Sequence, residues 1–388
     1  MPLCVYCSAR ECVRARSTGR SSGATHSRAR RRDAARADRS VANRSHAAAT
    51  GPEARTLPAV TVILTVDTAT WRARVDGFVG DHAAGDIDML PVVKGNGYGF
   101  GRGRLTAEVD RLGLSALAVG TVFELTGPVD GRGGRRRIVL TPIVSATDVA
   151  VLADAPDAVP TVGSRHHVQV LGDAGWRGPV VIKLASSMRR YGVGPDELGA
   201  LVEAAATVGL TIEAYALHLP LVDHGRANHG EAARWLAVLP DDGVALHLSH
   251  LSIDELRALA GAAPARRLVH RVGTALWHGP AKDGLHLAAD VLDVRAVQAG
   301  DTAGYRGATV PGDGHLVMVG AGTAHGVHPL ADGLSPFHFA RHRMALLEPP
   351  HMHTSMVLMP AGDPCPAPGD LVDLQHPLTR TLVDRVVG

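Results

Sequence analysis

Lysine is nearly absent from this chain of 388 residues: Lys94, Lys183 and Lys282 stand against thirty-seven Arg. Aromatic residues make up 4% and there are only four Cys. So few Cys over this length exclude a disulfide-built scaffold, and three of them crowd one short segment as Cys4, Cys7 and Cys12. That cluster lacks a fourth zinc ligand at the usual spacing, a lone His26 apart. No apolar run approaches the roughly 18 residues that a membrane-crossing helix needs, and the apolar stretch of a secretory signal is missing too. The chain reads as a reduced, cytoplasmic protein with no membrane partner.

The net charge of +2 is a sum of two unlike parts. Residues 1–58 hold twelve Arg, no Lys and four acidic residues, which leaves that segment at +8. The rest holds 28 basic and 34 acidic residues, or −6. The basic segment has no apolar periodicity and is expected to be disordered. Its Arg content has no second feature behind it, so no nucleic-acid partner is expected. The acidic body, in a chain 45% hydrophobic and 20% charged, has the composition of a folded enzyme.

After a strand at Val62–Val66, Asp67-Thr68 caps a helix running to about Val79. Eight further strand-like runs follow: Met89–Lys94, Ala116–Gly120, Ile138–Thr141, Ala158–Val162, Val180–Leu184, Thr211–Leu217, Val244–His247 and Leu268–Arg271. Helix-length stretches separate most of them, such as Pro195–Val208, with Pro at its first turn and Gly209 just past its end. This alternation predicts an α/β fold, a (β/α)8 TIM-type barrel over 59–284. Short β runs broken by Gly and Pro then predict a smaller β domain over 285–388. Gly95–Gly103 never spells G-x-G-x-x-G and no GK[ST] occurs, which excludes the Rossmann and P-loop nucleotide sites.

Chemistry in such barrels gathers where the strands end. Those positions carry Lys94, Arg189, Arg190, His218, Ser249, His250 and Arg271, the last followed by Gly273-Thr274. Lys94 closes the apolar run Pro91-Val92-Val93, where desolvation favours a neutral, nucleophilic amine.

The run Val92–Gly101 (VVKGNGYGFG) resembles the V-V-K-A-N-A-Y-G-H-G signature of alanine racemases, whose Lys holds pyridoxal phosphate (PLP). The likeness continues in order over roughly 62–375. Ser187–Gly192 is similar to T-G-M-x-R-x-G, which implies Arg190 near the cofactor phenolate and the substrate. Glu213–Pro220 is similar to E-G-I-x-T-H-F-A, which implies His218 against the pyridine ring. His270–Gly279 resembles V-R-P-G-I-A-L-Y-G with one insertion. It implies Arg271 at the ring nitrogen and Gly273-Thr274 as a backbone phosphate cradle, with Tyr98 and Ser249 also at the cofactor. The resemblance implies an amino-acid substrate, proton exchange at its α-carbon as in racemisation, and a homodimer with shared active sites. An Arg beside the ring nitrogen disfavours its protonation, which limits the electron sink.

Three departures accompany the resemblance. The family's second base is the Tyr of G-Y-A-D-G, whereas Gly322–Gly326 reads G-T-A-H-G, with Thr323 at the Tyr position. A threonine hydroxyl is far too weak an acid to replace a phenol, which makes His325 the candidate opposite base. Tyr305 resembles a different family Tyr. Second, C-M-D-Q-T-M becomes His351-Met352-His353-Thr354-Ser355-Met356. Met352 stays as a substrate contact, and an H-x-H pair on a strand, His351 and His353, would face one side as a candidate divalent-metal site. Third, the chain stops soon after Gly369-Asp370-Leu371-Val372-Asp373, so the β domain is expected to be shortened and the phosphate grip weaker. Two alternatives to a racemase follow: a metal-assisted PLP lyase like D-threonine aldolase or D-serine dehydratase, and a non-catalytic PLP-binding regulator.

Overall fold

Asp67 caps the first helix as its context predicts, its carboxylate accepting from the Thr70 amide at 3.1 Å. The computed structural model describes residues 61–126, 134–221 and 227–388. The basic segment 1–58, with Cys4, Cys7, Cys12 and His26, lies outside the described residues. After β1 (Val62–Val66) and α1 (Thr68–Ala83), eight strands alternate with helices. The first four strands are β2 (Asp88–Pro91), β3 (Ala116–Val119), β4 (Arg136–Val139) and β5 (Ala158–Val162). Then come β6 (Pro179–Leu184), β7 (Thr211–His218), β8 (Ala245–Ser249) and β9 (Leu268–Val272). They form one parallel sheet in the order β2-β9-β8-β7-β6-β5-β4-β3. A parallel bridge between Val92 and Ala118 closes it, with the Val93 amide donating to Ala118 at 2.8 Å. This is the expected TIM-type barrel, and its strands are apolar runs because both faces are covered.

The helices end where the sequence says they should. Among them, α2 (Pro195–Thr207) starts on Pro195. It stops at Gly209, whose φ of 76° lets Gly209 and Leu210 donate back to Ala206 and Ala205. A later helix, α3, spans Ala227–Val238. No helix of the described residues is long and apolar enough to cross a membrane.

From Leu285 onward the strands that pair with one another do so antiparallel. The long strand β10 (Leu285–Val297) sits centrally, flanked by Gly314–Val319 on one side and Leu371–Leu374 on the other. The strand β1 joins this sheet rather than the barrel, pairing antiparallel with β10 and parallel with Arg385–Val387. Alternation along a chain cannot reveal such a change of sheet, because β1 has the same apolar texture as a barrel strand. Asn96 makes a further tie between the parts, donating to Leu378 O and Thr381 O at 2.7 Å each.

Candidate active site

Lys94 stands three residues beyond β2, at the barrel rim. The turn after it is tightly specified. Tyr98 takes a left-handed φ of 56°, and a Cβ on Gly97 would collide with the Arg102 amide. Trp277 Nε1 donates to Val92 O at 2.7 Å and His278 Nε2 bonds to Tyr98 O at 2.8 Å, pinning both sides of the Lys94 turn. Glu124 completes the frame by accepting from the Gly95 and Gly120 amides. The amine reaches solvent at the mouth, yet its pKa is lowered by burial, then by Arg271 and Arg190.

The structure gathers most of the predicted cofactor residues around this amine. Arg271, on β9, is 8% exposed and its guanidinium makes no hydrogen bond to a described residue. Burial pulls its pKa down to about 10, so it stays a cation near neutral pH. Arg190 lies on the solvent side, its guanidinium 4.9 Å from the centre of the Tyr191 ring. His218 bonds through Nδ1 to the buried Ser249 hydroxyl at 2.5 Å. Burial, followed by Arg271, pushes its pKa to about 2, so it is a neutral ring. Tyr98 is buried against Gly273 so closely that a Cβ on Gly273 would overlap the phenol oxygen. Burial raises that phenol to about 12, which keeps it a hydrogen-bond donor. Thr274 opens the helical turn Thr274–Trp277 just beyond.

Within one chain the residues expected from the β domain lie apart from this group, as a site shared between two copies would have them. His325 is buried and engaged on both sides of its ring. Nδ1 accepts from the Gly322 amide at 3.1 Å, and Nε2 faces Thr61 Oγ1 at 3.2 Å and Asp384 at 3.3 Å. An Nδ1 that accepts carries no proton, so the nitrogen a base would use is already committed to the turn. The strand geometry expected for His351 and His353 is corrected as well. His351–Thr354 form a turn ahead of the strand Ser355–Pro360, closed by the His351 amide donating to Thr354 O at 2.8 Å. The two rings therefore go separate ways. His351 bonds to Glu348 at 2.5 Å and packs on Tyr305, while His353 lies edge-on to His325 at 6.0 Å. No group of three or more metal-capable side chains is gathered among the described residues. Met352 is 66% exposed, its carbonyl accepting from Ala324.

Residues 45–277 match the family model described as the alanine racemase N-terminal domain, more than half of the chain. The chain belongs to the alanine racemase family. Curated members of this family align at low identity. The alanine racemase of Nitratidesulfovibrio vulgaris (strain DSM 19637 / Miyazaki F) is 28% identical over 264 residues, 61% of this chain and 68% of its own length. That of Acidiphilium cryptum (strain JF-5) is 25% identical over 290 residues, 68% and 76% of the two chains. Solved structures of the family share the fold. The Bartonella henselae alanine racemase, described with covalently bound pyridoxal phosphate, superposes with a TM-score of 0.65 at 20% identity. It covers 84% of this chain and 99% of its own. The alanine racemase of Clostridium difficile 630 gives 0.67 at 17%, covering 86% and 96%.

A second amine inside this barrel is not marked by a strand-end position. Lys183 lies inside β6, 4% exposed, with Nζ donating to Ala216 O at 3.1 Å and Leu184 O at 3.3 Å. Burial, then Arg271 and Arg190, lowers its pKa well below the ordinary value. Its signal was available: a second Lys in a chain of three, within the apolar run Val180–Leu184. Glu124 gave no such sign, because its two amide partners come from different loops.

Proposed function

We propose that this protein is a pyridoxal-phosphate-dependent amino-acid racemase or epimerase, acting as a homodimer. The observation that carries the reading is the gathering of Lys94, whose pKa burial, Arg271 and Arg190 lower, with the buried guanidinium of Arg271 and the neutral His218 ring at one end of the barrel. A buried guanidinium without an acceptor is costly unless a ligand completes it. The site fits the cofactor in three respects: the free Arg271, the neutral and flat His218, and the Tyr98–Gly273 cradle that any larger residue would fill.

Each residue then has a task. Lys94 would hold the cofactor covalently and move a proton at the substrate α-carbon. His218, fixed by Ser249, offers a neutral face to an aromatic ring, and Tyr98 donates a hydrogen bond to the phosphate. Arg190 supplies positive charge for the phenolate and the substrate carboxylate. Arg271 opposes protonation of the ring nitrogen, which restrains the reaction to simple proton transfer. The chemistry that bound pyridoxal phosphate supplies is an electron sink for the charge left when the α-hydrogen departs.

A second reading, a cofactor-binding protein without turnover, is favoured by Thr323 and by the engaged His325. Deuterium exchange at the α-carbon of amino acids in heavy water separates the two. The racemase reading expects the cofactor-loaded protein to exchange the α-hydrogen of at least one amino acid, and expects Lys94→Ala not to. A loaded wild type that exchanges none would leave the second reading standing.

A further inference from the structure

The buried face of α3 is polar at positions where apolar side chains would pack as well. Asn228, Glu231 and Trp235, three and four residues apart, share that face and are 2%, 8% and 5% exposed. Buried polar groups cost free energy unless they are bonded, and each of these three reaches backbone at the barrel mouth. Trp235 Nε1 donates to Ala185 O at 2.9 Å. Glu231 Oε1 accepts from the Ser187 amide at 2.7 Å. Asn228 donates to Pro220 O at 3.0 Å and to His250 O at 3.2 Å. One helix face thus holds the rims of β6, β7 and β8, where Arg190, His218 and Ser249 stand.

The loop after β6 has the most need of such a hold. Ser187, Arg189 and Arg190 are exposed, and the backbone turns at Arg189 with a left-handed φ of 52°. The Arg189 amide donates to Ser186 O at 2.8 Å, and Ser186 Oγ donates to His218 O at 2.7 Å, which ties the turn to β7. At the far end, a Cβ on Gly192 would overlap the Leu184 backbone. Between these ends the Arg190 guanidinium lies against the Tyr191 ring, and Glu231 grips the turn from inside through Ser187. Strained backbone at a site persists where the surrounding structure fixes it.

We propose that Glu231 is a positioning residue for Arg190: its buried carboxylate fixes the turn that presents this guanidinium at the barrel mouth. It acts through the Ser187 backbone and not by contact with cofactor or substrate. The proposal rests on the cofactor reading and on the part Arg190 has in it.

Two measurements on the full-length protein test this. In the first, amide exchange is followed in the cofactor-free state. Loss of a hydrogen bond to a carboxylate in Glu231→Ala should speed exchange of residues 187–190 on the order of tenfold. Glu231→Gln keeps an acceptor oxygen and should stay near wild type. In the second, pyridoxal phosphate is titrated and the Lys94-dependent absorbance band gives its dissociation constant. Glu231→Ala should weaken binding severalfold, yet add nothing to the loss caused by Arg190→Ala, because the two act through one contact. Glu231→Asp keeps the buried charge and withdraws the acceptor by one methylene. It should repeat both results, which keeps the test open if the Ala variant fails to fold. A merely structural carboxylate would weaken binding equally with and without Arg190. That result, or unchanged exchange at 187–190, overturns the proposal and leaves the cofactor reading standing. A wild type without any band overturns the cofactor reading, and this proposal with it.

Discussion

In the proposed site two side chains carry the chemistry, and each makes a prediction of its own. Lys94 is partly exposed and held below its ordinary pKa by burial and two Arg, so near pH 7 it should react with an amine reagent several-fold faster than exposed Lys282. Peptide mapping after brief labelling reads this directly, and equal labelling would contradict the lowered pKa. Arg271 carries the opposite trade. Burial desolvates its charge, which lowers its pKa and opposes folding of the cofactor-free protein. Replacing buried charges by apolar groups often stabilises by 1–4 kcal/mol, so Arg271→Met should raise cofactor-free stability by about 1 kcal/mol in urea unfolding and weaken cofactor retention. A destabilised Arg271→Met would mean that Arg271 is satisfied without a ligand.

At the scale of elements, the Lys94 turn depends on the β domain through one amide side chain. Asn96 satisfies two carbonyls of the 378–381 turn, and leaving buried acceptors unpaired costs about 1–3 kcal/mol each. Asn96→Ala should lower the thermal midpoint by several degrees and speed amide exchange in residues 94–101, whereas Asn96→Asp should recover neither, because it cannot donate. Much at this scale was legible beforehand. The eight barrel strands and the Asp67 and Pro195 helix starts follow from local pattern and caps, so local sequence sufficed. That Lys94, Arg271 and His218 come to one end of the barrel was legible too, because each closes a strand-like run. What was not legible depends on long-range placement. Val62–Val66 looks like a barrel strand yet completes the other sheet. His351 and His353 alternate as on a strand, but the two prolines before them lead into a turn that sends the rings apart. The partners of His325 were not legible, because nothing near it in sequence announces Asp384 or Thr61, 59 and 264 positions away.

Taken as a whole, the molecule is built on neutral buried histidines. His82 and His270 share a 2.7 Å hydrogen bond between α1 and β9, and burial is the leading cause that pushes His270 and His247 down to about 3. A histidine whose folded pKa lies below its unfolded value of about 6.5 stabilises the fold above that pH and loses the contribution as pH falls. Each one contributes a slope of about 1.4 kcal/mol per pH unit in that window. Urea midpoints should therefore fall steeply between about pH 6.5 and pH 5, and a flat profile would contradict the buried neutral pairs. The central claim, that this histidine-lined barrel holds its cofactor on Lys94, has a more direct test. The protein is incubated with pyridoxal phosphate, reduced with borohydride, digested and mapped by mass. The account predicts one pyridoxyl adduct, on the peptide containing Lys94. An adduct on Lys183 or Lys282 instead, or none, would contradict it.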